Sequence, residues 1–346
     1  MEKEALPHVM PYVLKEEFEN GIGLYREIFK AAKEKKIKPD HIQAAIEYLS
    51  QLLGNVEERN PRSILVFYPE LYSNQEYLIH HAVNTAILAL LFYARLKKPH
   101  QETIEVSLAA LLHDIGHALS NPDLINSPKV LTTEEKLPLT NHPHLGYELL
   151  KSLKLPDVVL QGILFHHEKF DETGYPTMLP ASRIPDSAKT VALVDLYDNI
   201  ASDRPYSKGK SPQETLRIML SLSGSYFSPE QVARFVRIMW QPLCGSKPFL
   251  LPGMIVRTNF GEVAKVTHIF EDHILKPDIE ILIDRKNKLL QKPLPIKMKN
   301  DLERTLTKIY DEDHSKVILE KIQEKLQSVQ EPEFKIELIT KDEKKS

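Results

Sequence analysis

Residues 76–96, EYLIHHAVNTAILALLFYARL, are apolar nearly all the way round a helix. A surface helix keeps one polar face, so a helix like this belongs at the centre of a domain with other helices around it. That commits the chain to a packed helical core. Two adjacent histidines, His80 and His81, sit inside the apolar run. A second apolar helix, IEVSLAALLHDIG at 104–116, is expected to end at Gly116, a residue suited to helix termination.

Around this centre the pattern is helical. Residues 14–58 read as two or three amphipathic helices rich in Lys and Glu, with Ile42, Ile46, Leu49 and Leu53 on one face. Thr132 with Glu135, Ser211 with Glu214, and Ser228 with Gln231 fit capping boxes, the last two with proline at the first helical position. No strand pattern falls between 75 and 242. From 247 the style changes: GMIVRTNFGEVAKVTHIF and DIEILIDRKNKLL carry β-branched runs broken by Gly, Asn and Asp, the pattern of a small antiparallel sheet or barrel. The tail is charged, with one helix in SKVILEKIQEKLQ and an end, KDEKKS, expected to be disordered. The expected organisation is mainly α: an N-terminal helical segment at 1–70, an all-α domain at 71–243, a small β-barrel-like module at 247–298, and a charged helical tail at 299–346.

A net charge of -3 gives no general attraction to nucleic acid or anionic lipid, so an anionic ligand must be held by local charge. The single cysteine, Cys244, excludes an internal disulfide and a thiolate metal cluster, and fits a reducing cytoplasm. The N-terminus lacks the apolar core and cleavage site of a signal peptide. The most apolar run, at 86–94, falls short of the roughly 20 residues of a membrane span. The expectation is a cytoplasmic protein that binds neither membrane nor nucleic acid.

The chemistry concentrates in HDIGH at 113–117 and HHEKFDETGYP at 166–176, with His81, His142 and Asp195 beside or inside apolar runs. Taken singly, His113–Asp114 reads as a helix cap, His81 as a core histidine and His142 as a helix start. His166 and His167 are harder to place that way, because they end the apolar run VVLQGILF and both imidazoles need partners. Asp195 and Asp198, at i and i+3 in TVALVDLYDNIAS, project from one face of a largely buried helix. Together these groups have the character of ligands for a metal pair, and a metal pair suits hydrolysis of a phosphate ester.

Residues 71–243 resemble the HD-GYP domain, a subgroup of the HD phosphohydrolase superfamily whose members hydrolyse cyclic di-GMP. The matching stretches are HHAVN, LLHDIGH, LTTEEKLPLTNHPHLGYELL, HHEKFDETGYP and VDLYDNIASDRPYS, about half the chain. The β module also resembles the small domain that often follows HD-GYP domains. The resemblance implies an HD-type helical fold and a dinuclear phosphodiesterase. His81, His113, Asp114 and Asp195 would hold one metal, with Asp114 bridging to a second held by His142, His166 and His167. It implies Asp198 as an orienting group, Arg204 against a substrate phosphate, and Gly174, Tyr175 and Pro176 shaping the loop beside the substrate. Fe or Mn is the expected metal, although such mixed ligands also accept Zn, Ni or Co. The products would be pGpG, GMP or both.

The chain departs from the family pattern in places. His117 replaces a lysine that assists at the scissile phosphate, which makes activity depend on pH near neutrality if imidazolium does that work. Glu172 stands where glycine is usual. Residues 118–131 carry a one-residue insertion and a compensating deletion. Tyr77 stands where some members place a third-metal glutamate, so two metals are expected. The changes at His117 and Glu172 keep open a metal-bound domain that senses cyclic di-GMP or docks on a diguanylate cyclase. A hydrolase of another nucleotide is also open. The N-terminal helices lack the βα alternation of a phosphoacceptor receiver.

Overall fold

The computed structural model describes residues 11–60, 63–65, 76–120, 132–203, 208–245 and 247–327. They form two compact units: residues 11–215 with 224–245, and residues 216–223 with 247–327.

In the first unit, two helices occupy the N-terminal segment, α1 (Lys15–Lys33) and α2 (Pro39–Glu58). The α2 face buries Ile42, Leu49 and Leu53 as the spacing predicts, with Ile46 half-buried at its margin. The α1 helix buries Phe18, Ile22, Tyr25 and Ile28, and packs on α3 (Tyr77–Arg95). The N-terminal helices therefore belong to the same compact unit as the central helices and pack on them.

Helix α3 is buried without a break from Ile79 to Tyr93. By length and composition it could cross a membrane (mean hydropathy 1.4), which the nine-residue sequence window missed, yet 83% of that stretch is buried inside the protein. Its neighbour α4 (His100–Leu112) ends at Leu112, and a 3-10 turn follows at Ile115–Leu119. Gly116 thus lies inside the turn and does not terminate the helix. A Cβ on Gly116 would come within 2.0 Å of the His142 carbonyl oxygen and 2.7 Å of the Gly146 nitrogen. Glycine is required there by close approach of two backbones.

The remaining helices of this unit are α5 (Thr133–Lys136), α6 (His142–Leu150), α7 (Asp157–Phe165), α8 (Asp186–Ala201) and α10 (Pro229–Cys244), while α9 (Pro212–Ser221) has its residues 216–221 in the second unit. Thr132 and Glu135 close a reciprocal capping box, as do Ser228 and Gln231. Ser211 accepts from the Glu214 amide at 3.3 Å. The α4, α7 and α8 helices pack mutually, and α4 and α8 also pack against α3, so the segments carrying the candidate ligands converge on one place.

In the second unit, β1 (Ile255–Thr258), β2 (Val263–His268), β3 (Asp278–Ile283), β4 (Leu289–Lys297) and β5 (Leu306–Ile309) form an antiparallel sheet ordered β4-β3-β2-β1-β5. The β4 and β5 strands are its edges, so among the described residues the sheet is open and not a closed barrel. The expected boundary at 298 also moves. Strand β5 continues the sheet beyond it, and α11 (Glu312–Gln327) adds Ile318 and Ile322 to a core with Ile255, Val263, Leu282 and Ile283. An amphipathic helix beside a small sheet covers its apolar face, and the described part of the tail does that here.

Candidate metal centre

His81, on the second turn of α3, meets two carboxylates from α8. Its Nε2 lies 3.0 Å from Asp195 Oδ1, and its Nδ1 lies 2.7 Å from Asp198 Oδ2. Asp198 also accepts from Asn84 Nδ2 at 2.8 Å and Ser202 Oγ at 2.7 Å. Both of its oxygens are thus engaged, Oδ2 by His81 and Oδ1 by Asn84 and Ser202.

Asp114 follows the end of α4 and divides its carboxylate between two imidazole groups. Its Oδ2 lies 3.7 Å from His81 Nε2 and 3.5 Å from His113 Nε2. Its Oδ1 lies 3.0 Å from His142 Nε2 and 3.9 Å from His166 Nε2. The ligand atoms of His81, His113 and Asp114 fall within 4.8 Å of one another, as do those of Asp114, His142, His166 and His167. Asp195 Oδ1 joins the first group, 3.8 Å from His113 Nε2. All seven expected ligands meet in one buried cluster around Asp114.

The donor set fits cations. Nδ1 of His113, His142 and His166 each faces a backbone carbonyl, of Ala110, Leu139 and Ile163, at 2.7, 2.7 and 2.8 Å. Those carbonyls can only accept, so each Nδ1 carries the proton and each Nε2 presents a lone pair. His142 Nε2 lies 3.2 Å from His166 Nε2 and from His167 Nε2. The His142 and His166 lone pairs, facing each other at that distance, are repulsive until a cation sits between them. His113 Nε2 is buried and makes no hydrogen bond. A buried polar atom without a partner is costly, and a metal bond removes that cost.

The electrostatics divide the cluster. Burial pulls His81 down, but its bonds to Asp195 and Asp198 push it up to about 10. Burial pushes Asp114 up, and His113, His117 and His142 overcome this and hold it well below the usual carboxylate range. Asp195 is lowered likewise against its burial, by His113 and His81. Burial, with His142 adding, drives His167 down to about 3. His117 falls to about 3 for the same reasons, although Asp114 acts in the opposite sense.

His117 lies at the rim. Its Nε2 is 3.8 Å from Asp114 Oδ1, and its ring stacks on His142 with centroids 4.0 Å apart. At neutral pH it is a neutral imidazole, where the sequence had allowed an imidazolium. The loop 166–179 shapes the other side. The buried Glu168 accepts from the Thr177 amide and hydroxyl, both at 2.8 Å, and from the Leu179 amide at 2.9 Å. This folds the loop over itself, with the Tyr175 ring 4.6 Å from that of His167 and a cis Tyr175–Pro176 peptide. A Cβ on Gly174 would lie 2.5 Å from Glu168 Cα, the His167 oxygen and the Lys169 nitrogen. Glu172, where the family pattern has glycine, adopts a φ of 64°. Arg204, expected at a substrate phosphate, lies outside the described residues, as does most of 118–131.

Sequence reasoning missed the supports of the centre. Asn199 and Ser202 each sit four residues after a carboxylate, Asp195 and Asp198, and bond to it. Asn84 sits three residues after His81. Polar residues at i+3 and i+4 from a buried ligand on an apolar helix were the available signal.

Residues 65–230 match the family model described as HD domain. Over 238 residues the chain is 31% identical to the cyclic di-GMP phosphodiesterase PA4108 of Pseudomonas aeruginosa, covering 68% of this chain and 54% of that protein. It is 38% identical over 137 residues to a cyclic di-GMP phosphodiesterase of Thermotoga maritima, covering 39% and 37%. The chain thus spans about half, or less, of the length of these curated relatives. Among solved structures it is similar to Bd1817, a HDG"Y"P protein from Bdellovibrio bacteriovorus, with a TM-score of 0.49, 16% identity, and coverage of 63% and 69%. Through the matched segment, and with its ligand motifs gathered around one carboxylate, the chain belongs to the HD domain family, in its HD-GYP branch.

Proposed function

We propose that the chain is a dinuclear metal-dependent phosphodiesterase that hydrolyses cyclic di-GMP to pGpG, GMP or both. One observation carries the reading: the Asp114 carboxylate turns one oxygen to His81 and His113 and the other to His142 and His166. A pair of divalent cations held there would polarise the phosphate and acidify a water for attack. Fe or Mn suits the mixed imidazole and carboxylate donors, which do not by themselves select one metal.

The chain's own residues supply the rest. His81, His113, Asp114 and Asp195 hold one side of the centre, and His142, His166 and His167 the other. Asp198 fixes the His81 tautomer. Gly174, Tyr175 and Pro176 flank the substrate, and burial together with the Asp114 and Asp195 charges keeps the Tyr175 phenol protonated. Arg204 pairs with a non-bridging phosphate oxygen, for which a guanidinium fork is well matched. His117 gives a hydrogen bond from its neutral ring to the departing 3′-oxygen, and the proton that oxygen takes up comes from water. The buried lone Cys244 suits a reducing cytoplasm.

The neutral His117 also favours a second reading, a metal-bound sensor of cyclic di-GMP that docks on a diguanylate cyclase. Protein purified anaerobically and loaded with Mn or Fe should be assayed against cyclic di-GMP and a panel of other cyclic dinucleotides. The first reading expects cyclic di-GMP to be turned over fastest, and Asp114→Ala to abolish turnover. Tight binding without turnover at full metal content selects the sensor. Faster turnover of another nucleotide reassigns the substrate.

A further inference from the structure

Tyr77 touches the metal centre in two ways at once. It opens α3, so its ring lies one helical turn before His81, and the two rings stack with centroids 5.4 Å apart and planes 11° from parallel. Its hydroxyl lies 2.7 Å from Asn199 Oδ1, across on α8. Asn199 Nδ2 in turn lies 2.6 Å from Asp195 Oδ1, the oxygen that is 3.0 Å from His81 Nε2. The four residues close a circuit: Tyr77 ring, His81, Asp195, Asn199, and back to the Tyr77 hydroxyl.

The chemistry of the circuit admits one orientation of the amide. Turned the other way, Asn199 would set its carbonyl oxygen against the Asp195 carboxylate, two acceptors within hydrogen-bond distance. With the amide nitrogen on Asp195, the carbonyl needs a donor, and the Tyr77 hydroxyl is that donor. The Asn199 bond occupies one lone-pair direction of Asp195 Oδ1 and aims the rest toward His81 and His113. The stacked ring limits rotation of the His81 imidazole about the same point.

We propose that Tyr77 and Asn199 form a clamp that positions Asp195 and His81 for metal binding, and thereby tune the half of the centre built on His81, His113 and Asp195. The inference rests on the dinuclear reading above. Tyr77 and Asn199 are positioning residues that act through the ligands. Groups of this kind commonly change metal affinity about 10- to 100-fold when removed.

The test is stepwise Mn2+ titration of the full chain under anaerobic conditions, followed by electron paramagnetic resonance, for wild type, Tyr77→Phe, Asn199→Ala and the double variant. Tyr77→Phe keeps the ring and loses only the hydroxyl. Each single variant should weaken one of the two Mn2+ sites by about tenfold or more and leave the other unchanged. The double variant should be no weaker than Asn199→Ala, because the phenol acts through the amide. Circular dichroism and melting should stay close to wild type. If wild type binds two Mn2+ and Tyr77→Phe binds them with the same two affinities, the clamp is refuted while the centre stands. Equal weakening of both sites together with a lowered melting point makes the pair a general packing contact and also refutes it. A folded wild type that binds fewer than two ions overturns the dinuclear reading and the clamp with it.

Discussion

Asp114 Oδ1 lies 3.0 Å from His142 Nε2, while the other oxygen of the same carboxylate faces His81 and His113 on the opposite side. No other described carboxylate serves both imidazole groups. Elemental analysis of anaerobically prepared protein should give about two metals per chain. Asp114→Ala should empty both sites, since each loses a ligand and the charge between them is lost. His142→Ala should empty chiefly one. Retention of both metals by Asp114→Ala would show that the carboxylate does not bridge.

His117 bears on pH. With its pKa driven to about 3, the ring is neutral over the physiological range, and nearby metal cations press it further the same way. An imidazolium donor would make activity fall as pH rises through its pKa, so the wild-type pH–rate profile should lack an alkaline fall attributable to His117. His117→Ala should lower turnover by roughly tenfold or more through loss of the ring's hydrogen bond, with metal content held. An alkaline fall in wild type that disappears in His117→Lys would restore the imidazolium role.

Gly174 has no room for a methyl group, because the added carbon would lie 2.5 Å from three backbone atoms of residues 167–169. Gly174→Ala should displace the loop and the Tyr175 ring. A shift of about 1 Å in a positioning loop can cost about a hundredfold in rate. The expected result is a large fall in kcat/KM with both metals still bound, measured on the same preparation.

Glu172 pays for its left-handed backbone. A φ of 64° at an exposed non-glycine residue costs about 1 kcal/mol. Glu172→Gly should raise the stability of the domain by a few tenths to about 1 kcal/mol, the gain being reduced by the greater freedom of glycine in the unfolded chain. Denaturant midpoints at constant slope measure this, and a destabilised variant would count against the strain.

In the β unit, the buried Glu262 accepts from Arg304 Nε at 2.8 Å, Thr258 Oγ1 at 2.9 Å and Arg285 Nε at 3.1 Å. Burial pushes its carboxyl up, but Arg304, Thr258 and Arg285 outweigh that and leave it lowered. The stabilisation is then complete above the unfolded value of about 4.3 and is lost as pH falls through the lower folded value. Glu262→Gln should destabilise this unit by about 2 kcal/mol at neutral pH. The gap to wild type should close on acidification. Hydrogen exchange at Ile255 and Ile281 amides across pH is the measurement, and a gap that is independent of pH into the acid range would exclude the charge as its cause.

The sequence by itself determined the helical core and the switch to strands after residue 247, and its resemblance to the HD-GYP domain named the seven candidate ligands. The physical reason is that these signals are local: an all-round apolar helix, a capping box and a histidine pair ending an apolar run each show within a few residues. Tertiary structure decided what depends on approach between distant segments. Gly116 looked like a helix stop and proved to be a point where the backbone of residue 142 leaves no space for a side chain. The sheet acquired its fifth strand and α11 from beyond the expected boundary, because burying Ile318 and Ile322 against Ile255 is a long-range contact. His117 was visible as a residue, but its neutral state follows from burial beside His142. The supports of the centre were set the same way: Tyr77 and Asn199 are 122 positions apart and meet only because α3 and α8 pack side by side.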